Sequence, residues 1–169
     1  LGKRIFDVDH EENRISVPAR VSLRYNRNMQ IRQVQWADAA RELMSVRERV
    51  FVVEQNVPAE LERDALDPVC AHVLALDASG EPIGTGRLTP DGRIGRMAVV
   101  AFARDLGVGR ALLGALLELA RARELSEVHL HAQEHARGFY ARHGFEPEGE
   151  PFEEAGIAHI GMRMKLVSS

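Results

Sequence analysis

Ile94-Gly95-Arg96-Met97-Ala98-Val99-Val100, a short loop, and then Arg104-Asp105-Leu106-Gly107-Val108-Gly109-Arg110 form the stretch on which the fold turns. The first part reads as a β-strand. The last part opens a helix, because Ala111, Leu112, Leu116, Leu119 and Ala120 recur at helical spacing up to about Arg123. A helix start leaves about four backbone N–H groups unpaired and carries about half a positive charge, and glycines there let phosphate oxygens approach the main chain. Arg104 and Arg110 add charge for the same kind of ligand. Two nucleotide motifs fail on counting. A Walker loop requires G-x-x-x-x-G-K-[ST], which is absent, and the dinucleotide fingerprint requires a glycine where Leu112 stands.

Upstream of this stretch, Ile31 to Val34 is β-rich. Asp38 is placed to cap a helix carrying Ala40, Leu43, Met44, Arg47, Val50 and Phe51, which runs on into Val52, Val53, Glu54 and Gln55. Pro58 and the acid-rich Glu60 to Asp67 segment read as a loop or short helix ending at Pro68. His72 to Leu76, a turn over Asp77 to Glu81, Ile83 to Leu88, a turn at Pro90-Asp91-Gly92, and Arg93 to Val100 make a three-stranded antiparallel meander. Downstream, Glu127 to Ala132 is β-like, and Ala136 to His143 is helical with Gly144 as its C-terminal cap. A last strand sets Ile160, Met162, Met164 and Leu166 on one face and His159, Gly161, Arg163 and Lys165 on the other. Strands that come first as a meander and later alternate with helices make a mixed α/β (α+β) domain.

Composition agrees with a single globular domain: 169 residues, 45% hydrophobic and 28% charged. A net charge of −3 offers no overall positive field, so neither nucleic acid nor an anionic membrane is an expected partner. No apolar stretch approaches the roughly 20 residues that span a bilayer. Cys70 is the single cysteine, so no intrachain disulfide forms and a cytoplasmic location is expected. Residues 1–28 carry six cations against Asp7, Asp9, Glu11 and Glu12, with no apolar core of a signal peptide. They are expected to be an extension, poorly ordered, of a core domain over 29–169. His129 and His131 share a strand face, with His135 close by, but no cysteine or placed acid completes a metal set, so no metal is expected.

At Arg104, Gly107 and Gly109 the pattern R-x-x-G-x-G resembles the acyl-CoA pyrophosphate loop, [QR]-x-x-G-x-[GA], of the GNAT N-acetyltransferase superfamily. Gln133 to Phe145, with Ala136, Tyr140 and Gly144-Phe145 at A-x-x-x-Y-x-x-x-G-F spacing, resembles that family's second signature. The resemblance runs from about residue 30 to 166. Val50 to Gln55, Leu130 to Gln133 and Ala155 to His159 look like its ElaA-like branch. Asp105 stands where a glycine is common, and Gln133 where an asparagine often contacts the cofactor arm.

The resemblance implies a GNAT fold: a mostly antiparallel, partly splayed sheet flanked by helices. It implies acetyl-CoA as cosubstrate, its phosphates held at Arg104, Leu106, Gly107, Val108, Gly109 and Arg110 and its arm at Gln133. Its pantetheine would pair with the backbone of Met97, Ala98 and Val99 where the fourth strand parts from the fifth, and the oxyanion would form near the Val99 N–H. The implied reaction is direct attack by a primary amine of an acceptor in a ternary complex, and a homodimer is expected on family grounds. Tyr140 is expected to protonate the departing thiolate, since a phenol with a pKa of about 10 holds its proton at neutral pH. A lysine-like amine, pKa about 10.4, is mostly protonated at pH 7, and freeing it costs about 4.6 kcal/mol. Glu54 is the first choice of base, with His72, His131 and His159, or a water chain of the kind several members of that family use, as alternatives. Arg47 and Arg49 are expected on a solvated helix face, or else capturing a carboxylate of the acceptor. Two other functions stay open: acyl transfer from another donor, as in acyl-homoserine-lactone synthases, and non-catalytic acyl-CoA binding.

Overall fold

The computed structural model describes residues 29–167, so the expectation for residues 1–28 lies outside the described residues. In chain order the elements are β1 (Gln30–Val34), α1 (Trp36–Arg47), a π-helical turn (Glu48–Glu54), α2 (Ala59–Glu62), β2 (Ala71–Leu76), β3 (Pro82–Leu88), β4 (Ile94–Val99), α3 (Val108–Ala122), β5 (Glu127–Gln133), α4 (Arg137–Arg142), β6 (Glu146–Glu154) and β7 (Ile157–Lys165). Four strands form one antiparallel sheet in the order β1-β2-β3-β4, and the other three a second in the order β5-β7-β6.

Among the described residues the backbones of the two sheets are bridged at one place. Arg93 and His129 form a parallel bridge, with the His129 N–H donating to the Gly92 carbonyl at 3.1 Å, and beyond it β4 and β5 are not paired. The two strands therefore diverge, leaving an open edge on β4.

β2 is buried at every position because both faces of its sheet are covered. Leu74 and Leu76 pack with Ala39 and Leu43 of α1, while Val73 and Ala75 join the larger core with Leu112, Leu113 and Leu116 of α3. Two glycines let α3 lie close on β3. A Cβ at Gly84 would sit 2.8 Å from Leu112 Cδ1, and one at Gly86 2.8 Å from Leu116 Cδ1.

Several local readings change. The first helix begins at Trp36 after Gln35, with no side-chain cap; Asp38 lies in its first turn, where it favours the helix dipole instead. The helix does not run on regularly but widens into the π-helical turn and ends at Asn56 in the left-handed region (φ 56°). β6 is a strand with every residue exposed, including two prolines, Pro147 and Pro151. An edge strand without an apolar face carries no alternation to read, and prolines are tolerated there. Gly144, at φ +92°, ends α4 as expected, with the Phe145 N–H donating to the Tyr140 carbonyl at 3.1 Å.

Candidate active site

A cavity of about 410 Å³ opens between the diverging strands, walled by Met97 and Arg96 of β4, His131 and Gln133 of β5, His159 of β7, and Tyr140 of α4. β4 is deformed where it meets the cavity. Between the pairs Arg87–Gly95 and Thr85–Ala98 it holds one residue more than β3, and Arg96 takes up the bulge at φ +50°. A non-glycine residue in that conformation costs about 1 kcal/mol or more, a strain characteristic of functional sites.

Beyond the bulge, the Val100 N–H donates to the Ile83 carbonyl of β3 at 2.9 Å. Alternation along the strand then turns the Val99 N–H toward the open edge and Ala98 into the sheet opposite Thr85. Of the backbone groups expected to meet the pantetheine, Val99 is so directed, whereas Ala98 is spent on β3. Met97 keeps its side chain in the cavity wall.

The loop into α3 has two left-handed residues, Asp105 at φ +60° and Gly107 at φ +82°. The first explains the departure from glycine: the position demands positive φ, and aspartate is among the few other residues that tolerate it. Asp105 is exposed. The first α3 bond from this loop is the Ala111 N–H to Gly107 carbonyl at 3.1 Å, so the N–H groups of Val108, Gly109 and Arg110 precede the helical ladder. Together with Leu106 they make the backbone at the start of α3, a helix end of the kind that receives phosphate.

Arg104 and Glu54 were expected in separate roles, and the structure pairs them with each other. The Arg104 guanidinium donates to Glu54 Oε2 at 2.7 Å and to the Val99 carbonyl at 3.0 Å. The carboxylate expected as base is thus held in an ion pair and does not line the cavity with Tyr140. The guanidinium expected at the phosphates instead ties the π-helical turn to the end of β4.

Tyr140 is 3% exposed and packs edge-on against Phe139 and Phe145, with centroids 5.1 and 5.8 Å away. Burial alone pushes its phenol well above the ordinary value, so the hydroxyl stays protonated at neutral pH. Gln133 is buried with its Oε1 lacking a hydrogen-bond partner among the described residues. A buried acceptor of this kind fits an amide N–H of a ligand arm in the cavity.

Beneath the cavity lies a buried ion cluster. Arg47 donates from Nε to Glu62 Oε1 at 2.5 Å and from Nη1 to both Asp67 oxygens at 3.0 and 3.1 Å, while Arg87 holds Asp67 and Asp64 at 2.7 and 2.8 Å. Burial pushes the Glu62 carboxyl up, against the pull of Arg96 and Arg47. Arg47 is therefore neither solvated nor free to take a carboxylate; Arg49 is the exposed one, lying 5.9 Å over Phe102. His72, an alternative base, is committed elsewhere. Its Nε2 bonds the Asp67 carbonyl at 2.8 Å, its ring packs on Trp36, and it does not line the cavity. Among the described residues no group of three or more His, Cys, Asp or Glu is arranged to hold a metal.

Sequence reasoning did not find Arg93, Arg96 or Glu154 in this site. A bulge has no sequence signature, and Glu154 lies on the strand that was not foreseen.

Comparison with known proteins adds an independent line. The acetyltransferase (GNAT) domain model matches residues 33–166. Over 121 residues, covering 69% of this chain and 86% of the relative, the sequence is 40% identical to the uncharacterized N-acetyltransferase YjcF of Bacillus subtilis. The crystal structure of Escherichia coli ElaA aligns with a TM-score of 0.72 at 30% identity, over 80% of this chain and 99% of that one. An acyl-CoA N-acyltransferase from Pseudomonas aeruginosa aligns at 0.73 and 34% identity, again over 80% and 99%. Matched across most of its length, and with a split sheet and a glycine loop at a helix start, the chain belongs to the GNAT family of acyl-CoA-dependent acyltransferases.

Proposed function

We propose that the protein is an N-acetyltransferase that moves an acetyl group from acetyl-CoA to a primary amine, by direct attack with both substrates bound. The observation that carries this reading is the buried, proton-bearing Tyr140 in a cavity bounded by the open edge of β4. Acetyl-CoA supplies the activated thioester. The backbone of Leu106, Gly107, Val108, Gly109 and Arg110 binds its phosphates; Gln133 Oε1 accepts from its arm; and the Val99 N–H is directed to the carbonyl oxygen, where donors are worth most as charge develops. Tyr140 gives its proton to the departing sulfur. Arg104 acts through position, tying the loop side of the site to Glu54.

A cytoplasmic location belongs to the same proposal and is supported by the free, buried thiol of Cys70, which suits a reducing compartment. A homodimer belongs to it as well, the exposed edge strand β6 being an available face.

The test is thiol release from acetyl-CoA in the presence of n-butylamine, spermidine or a lysine-bearing peptide, repeated with longer acyl donors. Amine-dependent release that is fastest with acetyl, with lines that intersect when both substrates are varied, is the expected result. A preference for long chains would favour the other-donor reading, and binding of CoA without release the non-catalytic one.

A further inference from the structure

Two histidines line the cavity, and their hydrogen bonds put their ring protons on different nitrogens. His159 Nδ1 lies 2.6 Å from the Ile157 carbonyl. A carbonyl only accepts, so Nδ1 carries the proton and Nε2 of the neutral ring presents a lone pair. His131 is the reverse case. Its Nδ1 lies 2.8 Å from an Arg93 Nη2, which only donates, and 3.3 Å from Glu154 Oε1, which only accepts; the shorter contact makes Nδ1 the acceptor and leaves the proton on Nε2. Burial, then the Arg93 charge, holds His131 below the ordinary histidine range.

The surroundings of His159 suit an atom that gains a proton. In register it stands between Gln133 of β5 and Phe152 of β6, whose ring stacks on it at 5.8 Å. Its Nε2 lies 3.7 Å from Glu154 Oε2, close enough for the carboxylate to stabilise an imidazolium. With Glu154 included, the charged side chains around the cavity, Arg87, Arg93 and Arg96 against Glu62, Asp64 and Glu154, offset one another in number. On β7 the face opposite Ile160 and Met162 holds exposed Arg163 and Lys165, yet His159 on that face is 5% exposed. It is buried because that end of the face forms the cavity wall.

We propose that His159 is the general base of the reaction, its Nε2 taking the proton that the substrate ammonium must lose; this rests on the acetyl-transfer reading above. The freed nitrogen lone pair forms the C–N bond as the thioester C–S bond breaks. The Tyr140 hydroxyl proton goes to the sulfur, the amine's second proton replaces it, and the imidazolium returns its proton to solvent. One amide, one thiol and one proton result for each ammonium and thioester consumed.

His159→Asn tests the role without removing the structural bond, since the asparagine amide still donates to the Ile157 carbonyl. With acetyl-CoA and n-butylamine, transfer at pH 7 should fall about 100-fold. CoA affinity should stay within about twofold. The limb of the pH profile that follows histidine deprotonation should vanish, leaving a rate that climbs only as the amine loses its own proton. Imidazole nitrogen NMR of the wild-type chain should show neutral His159 protonated at Nδ1 and His131 at Nε2. A neutral His159 protonated at Nε2, or a variant that keeps the wild-type rate and profile, overturns the proposal. If the wild type neither binds acetyl-CoA nor transfers to any amine, it is the transfer reading that fails, and the base with it.

Discussion

Tyr140 and Gly107 stand out in the sequence as single residues because each belongs to a spaced pattern, one on a helix and one at a helix start. Glu54 was not legible in the same way. A carboxylate at the end of an apolar run has no pattern to say what it faces, and Arg104, 50 residues on, is what it meets. The histidines were ambiguous for the same reason, since a ring's role depends on which nitrogen a distant carbonyl or guanidinium engages. For Tyr140 the expectation is sharp. Tyr140→Phe keeps the packing against Phe139 and Phe145 and removes the one proton, so kcat should fall about 100-fold or more while CoA affinity changes less than about twofold. A kcat within threefold of wild type would remove Tyr140 from the chemistry.

Most elements were readable from periodicity, and the misses share a cause. α3 and β7 each carry an apolar face that repeats with its own period, whereas the meander, its β2 buried on both faces, was marked by its turns at Asp77 to Glu81 and Pro90-Asp91-Gly92. β6 has no such face, and the β4 bulge and the π-helical turn are responses of the backbone to tertiary packing that propensity does not record. The contact of α3 with β3 gives a prediction at this scale. Gly86 faces Leu116, Met97 Sδ at 3.2 Å and Val73 Cγ2 at 3.2 Å, so Gly86→Val overpacks the seam between helix and sheet. Stability by urea unfolding should drop by about 1–3 kcal/mol. Because Met97 also walls the cavity, acetyl-CoA affinity should weaken in the same variant.

Across the whole molecule, buried charge couples stability to pH. His72 is 1% exposed, and burial lowers it below the ordinary value of 6.5. Between its folded-state value and 6.5 the unfolded chain binds more protons than the folded one, so this contribution is complete above 6.5 and is lost as pH falls through that window. Glu62, pushed up by burial, acts in the opposite sense, its folded form gaining protons above 4.5. The difference in Tm between wild type and His72→Gln isolates the histidine: it should be largest near pH 7 and shrink toward pH 5. A difference independent of pH would contradict the account. The division into two sheets was foreseen as a splay, and the one backbone bridge between them among the described residues joins Arg93 to His129. That splay and the loop beside it carry the central claim, which isothermal titration with acetyl-CoA and with CoA tests most directly. The wild type should bind both at micromolar concentrations, and Gly107→Trp, which puts a bulky side chain at φ +82° in the loop, should abolish the heat. Wild-type protein that gives no heat with either ligand, or a Gly107→Trp variant that binds as tightly as the wild type, would contradict it.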